Sequence, residues 1–226
     1  MDNRTRILVI DNLAVESSRR AVYRALANRI DFEVHLLAPK SWREQGEAIA
    51  CEEEKDSTLH VHQSRFFFGY RAHRVVYTKL FSAIRKIRPH FLYLVSQPEN
   101  YAAVEALVAR RLLLPSAKLG LFSSRNIDHR RAGFPYRAAF THWICDSVTM
   151  KWKVDVCFLR PESATKLLAP YAASTCYVPH PVDCSFFKKG SEKSKDSRDE
   201  RIVVGFLGRL IEGKGIHLLI EALPYL

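Results

Sequence analysis

Four residues near the end of the chain, Gly208, Arg209, Lys214 and Gly215, have the types and spacing to hold a phosphate group. They lie in the run GRLIEGKG, after an apolar stretch over residues 202–207 and before Ile216, Leu219, Ile220 and Leu223, which recur at helical spacing. Strand, loop and helix in that order aim backbone N–H groups and a helix dipole at whatever sits over the loop, and the two cations there favour an anion. Gly208, Gly213 and Lys214 also satisfy the G-x-x-x-x-G-K part of a nucleotide-hydrolase P-loop. Gly215 then stands where that motif needs Ser or Thr to ligate magnesium, which argues against it. No metal site is expected.

Polar residues at the ends of apolar runs form three further groups: Asp11, Asn12 and Glu16; Ser96, Gln97 and Glu99; Ser123, Ser124, Arg125, Asn126 and His129. The elements that would position them alternate along the chain. Strands are expected at residues 7–10, 33–38, 59–62, 91–95, 119–123, 156–158 and 175–178. Helices are expected over the stretch from Ala21 to Ile30, capped by Ser17 or Ser18, and at 72–88, 99–114, 136–150 and 162–171. Such alternation predicts an α/β fold, a Rossmann-like parallel sheet with helices on both faces, and ligands in such folds bind at the carboxyl ends of the strands. The first strand runs into Asp11-Asn12-Leu13-Ala14 with no G-x-G-x-x-G, so a dinucleotide is not the expected ligand. An ordinary helix start accounts equally well for Gln97-Pro98-Glu99.

Of the 226 residues 47% are apolar, enough for a globular domain, and the apolar runs are strand-sized. No transmembrane helix or secretory signal is read, so the expected location is cytoplasmic. Five cysteines without a C-x-x-C pair suit reduced thiols. The net charge of +11 is unevenly placed, for no acidic residue falls between Asp56 and Glu99 while Arg65, Arg71, Arg74, Lys79, Arg85, Lys86 and Arg88 do. With Val76, Leu80, Ile84 and Ile87 on one helical face and aromatics interleaved, residues 65–88 suit an anionic membrane surface, which would make the protein peripheral at the inner face of a membrane. Packing of that face on the sheet is the alternative. Nucleic acid ranks below both, because no nucleic-acid module is present and the linker KKGSEKSKDSRDER is of mixed sign.

The run VVGFLGRLIEGKGIHLLIEAL resembles the start of the nucleotide-sugar-binding domain of family 4 glycosyltransferases of the GT-B fold, matching at Gly208, Arg209, Leu210, Lys214, Gly215, Leu219, Ile220, Ala222 and Leu223. The segment CYVPHPVDCSFF is similar to the family's interdomain connection at Val178, Pro179, Val182, Asp183 and Phe187, with His180 and Pro181 replacing the usual Asn and Gly. Pro39 with Trp42, and Arg125 with Asn126, match a subset of that family. The resemblance implies an acceptor-side domain at 1–182, a linker at 183–200 and, at 201–226, the first part of a truncated donor domain. It implies retaining sugar transfer from a nucleoside-diphosphate sugar to a saccharide or lipid-linked acceptor, without metal or cofactor. Arg209 and Lys214, with Gly208 and Gly215, would hold the donor diphosphate. Asp11, Asn12, Glu16, Ser124 and Arg125 would line the acceptor side, and Asn126, His129, Gln97 and Glu99 are the catalytic candidates, with His90 and His142 as further histidines. The family's E-x-x-x-x-x-x-x-E element is not found before Leu226, so this stretch of chain is expected to be inactive alone, and a non-catalytic acceptor-binding or membrane-docking module is the alternative.

Overall fold

The computed structural model describes residues 4–44, 47–56, 58–68, 72–125, 140–179, 204–208, 210 and 212–225. By contacts the chain divides into two units, Met1–Asp183 and Cys184–Leu226. In the first, β1 (Thr5–Ile10), α1 (Ala21–Ala27), β2 (Phe32–Pro39), β3 (Ser41–Glu44), β4 (Glu47–Ala50) and β5 (Leu59–Ser64) come first. After them come β6 (Phe66–Phe67), β7 (Val76–Tyr77), α2 (Leu80–Ile87), β8 (Phe91–Val95), α3 (Tyr101–Leu113) and β9 (Lys118–Ser123). The unit closes with α4 (Phe140–Trp152), β10 (Val154–Leu159), the single turn α5 (Thr165–Leu168) and β11 (Ala172–Tyr177).

Seven of these strands form one parallel sheet in the order β11-β10-β9-β8-β1-β2-β5. It is flanked by helices, and its order is that of a Rossmann-like doubly wound sheet. The central strands are apolar without alternation because both of their faces are covered: Leu8, Val9, Ile10, Leu92, Leu119 and Leu121 are all buried. Right-handed crossovers require α1, which leads toward β2, and α2, α3 and α4, which lead the other way, to lie on opposite faces. Gly120 in β9 has a packing reason, since a Cβ there would lie 2.6 Å from Phe91 Cζ and 2.8 Å from Phe158 Cε2.

The strand order turns round between β1 and β8. Successive strands run outward from β1 through β2 to β5 on one side and from β8 through β9 and β10 to β11 on the other, so the loops after β1 and β8 diverge. In open α/β sheets ligands bind at the carboxyl end of the strands, beside such a switch point.

Several local expectations are corrected. Residues 72–88 are not one helix: Val76 and Tyr77 pair antiparallel with Phe67 and Phe66, and α2 begins only at Leu80. Leu80, Ile84 and Ile87 are buried in the core, so the apolar face of α2 packs inside the domain. Neither Ser17 nor Ser18 caps α1, which follows a 3-10 turn over Ser17–Arg20, and the Ser17 hydroxyl instead accepts from Arg24 Nη2 at 2.5 Å. Residues 162–171 split into 3-10 turns around α5, with Pro170 inside the second turn. A β3–β4 hairpin, unforeseen, follows β2 and buries Trp42 against Phe66, with ring centroids 5.6 Å apart.

The second unit holds a 3-10 turn (Glu212–Lys214), α6 (Ile216–Ala222) and a closing 3-10 turn (Leu223–Tyr225). Residues 204–207 take no regular structure, contrary to the expected strand over 202–207, whose first two residues lie outside the described residues. Among the described residues no helix is long and apolar enough to cross a membrane.

Candidate functional site

Parallel register brings the predicted polar groups to one edge. Ile10 pairs with Leu94 and Val95 with Phe122, so the loops leaving β1, β8 and β9 stand side by side. The Ser96 N–H donates to the Phe122 carbonyl at 3.1 Å, continuing the ladder past the end of β8.

The loops after β8 and β9 are joined through side chains. Ser123 Oγ donates to Gln97 Oε1 at 2.5 Å and accepts the Arg125 N–H at 3.2 Å. Arg125 is buried, its Nη1 lying 3.4 Å from Glu99 Oε2 and 3.4 Å from the Tyr171 hydroxyl, over whose ring its guanidinium sits at 5.9 Å. Tyr171 in turn donates to Asp146 Oδ1 at 2.5 Å. A buried guanidinium needs such partners, because leaving one polar group unpaired away from water costs about 1–3 kcal/mol. Four elements therefore converge on Arg125: the loop after β8, its own loop after β9, α4 through Asp146, and the turn before β11 through Tyr171.

α3 begins next to this cluster with Asn100 as its N-cap residue, whose Nδ2 donates to Ser96 Oγ at 2.9 Å. From α4, Thr149 donates to the Pro98 carbonyl at 2.8 Å, and His142 Nδ1 lies 3.3 Å from the Glu99 carbonyl. A carbonyl only accepts, so His142 carries its proton on Nδ1. The His142 ring packs 4.8 Å from His73 and 6.2 Å from Tyr101. Together these make an edge that offers guanidinium N–H donors, a carboxylate, an amide and imidazoles, a set suited to a ligand rich in hydroxyl or anionic oxygen atoms.

The loop after β1 is different. Asp11 is buried, accepting from Tyr23 OH at 2.6 Å and from the Leu13 N–H at 2.8 Å. Burial pushes its carboxyl up, and these hydrogen bonds offset part of that rise. Glu16 pairs with Arg19 at 2.5 Å. Both carboxylates are thus engaged within the loop, while Asn12 is half-buried beside them.

What holds the loop is Arg20, which sequence reasoning passed over. Its side chain is fully buried and donates to the carbonyls of Ala14, Val15 and Glu52, each at 2.9 Å, and to Glu54 at 3.2 Å. Arg24 meets the same carboxylate at 3.0 Å. Burial alone would raise Glu54, but the hydrogen bonds from Arg24, the Asp56 N–H and Arg20 outweigh it and hold the carboxyl at about 2.

Among the remaining candidates, Ser124 is exposed beside Arg125, whereas Asn126 and His129 lie outside the described residues. His90 sits at the opposite, amino end of β8, its Nδ1 accepting the Arg6 N–H at 3.0 Å. Tyr171 and Asp146, which complete the Arg125 cluster, carry no local signal, since both sit inside stretches that read simply as helix.

In the second unit Gly208 is described and Arg209 is not. Lys214 ends a 3-10 turn, and Gly215 is the N-cap residue before α6 with φ 71°, a left-handed conformation in which a side chain would be strained. Among the described residues no group of three or more His, Cys, Asp or Glu is arranged to hold a metal ion. No protein-family model matches the chain, and no curated protein is significantly similar to it.

Proposed function

We propose that this chain is the acceptor-side domain of a family 4, GT-B glycosyltransferase, followed by the first part of its donor domain, and that it serves sugar transfer from a nucleoside-diphosphate sugar to a saccharide or lipid-linked acceptor. The convergence of Gln97, Glu99 and Arg125 beside the switch point carries this reading. Saccharide hydroxyls need donors and acceptors fixed at short range, and this edge supplies both from side chains already held by neighbours. The resemblance adds the donor side, where Arg209, Lys214 and the glycines Gly208 and Gly215 would hold the diphosphate. Charge develops on that diphosphate as it departs, and fixed cations stabilise it.

Two arms test the proposal. Titration with a panel of mono- and disaccharides, followed by ligand-observed NMR, should find a binder whose affinity falls about tenfold or more in Glu99→Gln, since a hydrogen bond to a charged group is worth about 1.5–3 kcal/mol. Titration with nucleoside-diphosphate sugars should show a similar loss in Lys214→Ala. If no saccharide binds, or if Glu99→Gln binds the responsive saccharide as the wild type does, the acceptor assignment fails.

A membrane-bound acceptor has one specific observation in its favour. Phe67 and Phe68 on the β6–β7 hairpin are 59% and 64% exposed, next to the basic stretch. With the apolar face of α2 buried, docking by residues 65–88 onto an anionic bilayer falls to this hairpin. Sedimentation with vesicles containing phosphatidylglycerol should retain the wild type and release a Phe67→Asn/Phe68→Asn variant at least about tenfold more readily. Asn is chosen because it tolerates the φ of 70° at Phe68.

A further inference from the structure

A cleft of about 570 Å3 opens at the amino-terminal edge of the sheet, opposite to the edge that gathers Gln97, Glu99 and Arg125. Its floor is three imidazoles. Strand register sets His35 of β2 beside His60 of β5, and His62 follows on the same face of β5. The His35 ring lies 4.9 Å from that of His60 and 5.2 Å from that of His62.

Its walls are cationic. Arg6 comes from β1, Lys86 from α2, and Arg88 from the turn after α2. Arg88 takes a left-handed conformation, φ 51° and ψ 59°, and its carbonyl accepts Arg6 Nε–H at 3.2 Å, which ties the two arginines together. Neither Lys86 nor Arg88 makes an ion pair among the described residues. The one carboxylate lining the cleft, Glu33, is held by His35 Nε2 at 2.9 Å. A second cleft of about 360 Å3 shares Arg6 and Arg88 and extends to His90 and Ser116.

We propose that this cleft binds a phosphate-bearing anion, and that its affinity rises on acidification because the imidazoles beneath the anion take up a proton. Three cations from three elements around one occupied carboxylate leave a positive field that a multiply charged oxyanion would neutralise, with guanidinium and ammonium donors to hold it. The imidazoles add the pH response. While Glu33 is ionised, His35 donates to it from Nε2, so His35 Nδ1 accepts from His62 Nε2–H at 3.0 Å. His62 Nδ1 is then the nitrogen of this pair left to take up a proton. Burial holds both His35 and His62 below the ordinary imidazole range. Neighbouring charges act in the same direction, His35, His60, Lys86 and Lys79 on His62 and His60 and Arg6 on His35, while Glu33 opposes them at His35. A bound dianion reverses this field and draws the proton in, so proton and anion bind with positive linkage.

The proposal stands apart from the glycosyltransferase reading and is tested separately. Calorimetric titration of the full chain with inorganic pyrophosphate should give saturable binding, weakened about tenfold or more in Lys86→Gln/Arg88→Asn, where both side chains are exposed and Asn tolerates the left-handed turn. Sulfate keeps its charge across the relevant range, and it should bind about tenfold tighter at about pH 5.5 than at about pH 8, with the imidazole NMR signals of His60 and His62 moving on titration. Vesicles of phosphatidylcholine with phosphatidic acid distinguish the source of the phosphate. Retention on them that pyrophosphate displaces identifies a lipid headgroup, and pyrophosphate binding without retention identifies a soluble ligand. The site is overturned if the double variant binds pyrophosphate as tightly as the wild type or if neither probe binds. Its pH response is overturned if sulfate affinity is the same at both pH values.

Discussion

Arg20→Ala should destabilise the first unit by about 3–5 kcal/mol, the cost of breaking a buried charged network by removing one partner. Three carbonyls and Glu54 converge on this guanidinium, and the Arg20 side chain is wholly buried, so its removal strips these acceptors of their donors. Arg20→Met separates volume from polarity. It refills much of the space yet leaves the carbonyls of Ala14, Val15 and Glu52 unpaired, so it should recover little of the loss. At about 2–4 °C per kcal/mol for a domain of this size, the alanine variant should melt roughly 10 °C lower. Urea unfolding monitored by circular dichroism supplies the measurement. A loss below about 1 kcal/mol would show that the loop after β1 is held by something other than Arg20. The functional consequence is that Asn12, beside the switch point, depends for its position on a residue eight positions away, so saccharide affinity should fall in Arg20→Ala even under conditions where the fold persists.

Arg20 also marks where sequence reading stops. Arg19 and Arg20 are neighbours of the same type, yet Arg19 pairs with Glu16 and Glu44 at half exposure while Arg20 is enclosed. Only the path of residues 51–54 across the turn decides between them, and that path is a long-range property. The edge strands β5 (LHVHQS) and β11 (AASTCY) are mixed in polarity, but the inner strands of the sheet were legible because burial on both faces leaves an apolar run for each. The β3–β4 and β6–β7 hairpins were not, being two to four residues long, and the second is embedded in a basic stretch whose Val76, Leu80, Ile84 and Ile87 imitate one helix. The α/β pattern alone put polar residues at the strand ends, and those described in the loops after β1, β8 and β9 stand at one edge. Their partners were not foreseeable. Asp11 and Gln97 look alike as strand-end polar groups, but Asp11 meets Tyr23 and braces its loop, whereas Gln97 meets Ser123 and joins two loops of the site.

Glu105→Gln should stabilise the protein at pH 8, and the effect should vanish at low pH. Glu105 lies in the middle of α3, buried, and accepts the Tyr77 N–H at 2.8 Å, which fastens the β6–β7 hairpin to the helix. Burial pushes its carboxyl up to about 7 from an ordinary 4.5, the Tyr77 hydrogen bond offsetting only part of the rise. The folded state therefore holds a proton that the unfolded chain releases at lower pH. With the folded value raised, stability is at its full value below about pH 4.5 and is lost as pH climbs through about 7, because unfolding then releases that proton. The separation of about 2.5 units corresponds to about 3 kcal/mol, at about 1.4 kcal/mol per unit. Glutamine keeps an oxygen for the Tyr77 N–H and cannot ionise, so the variant should match the wild type near pH 4 and exceed it by up to about 3 kcal/mol at pH 8. Comparing wild type and variant at each pH cancels the opposing contribution of Glu54, which is held at about 2 and loses its stabilisation only as the solution becomes acid. Parallel stability profiles for the two proteins would mean that water reaches the Glu105 carboxylate and that its ionisation costs the fold nothing. A converging pair would instead place a buried, proton-holding carboxyl beneath the hairpin that carries Phe67 and Phe68, so the same titration should loosen that hairpin as pH rises, visible as faster amide exchange at Tyr77 in the wild type than in Glu105→Gln.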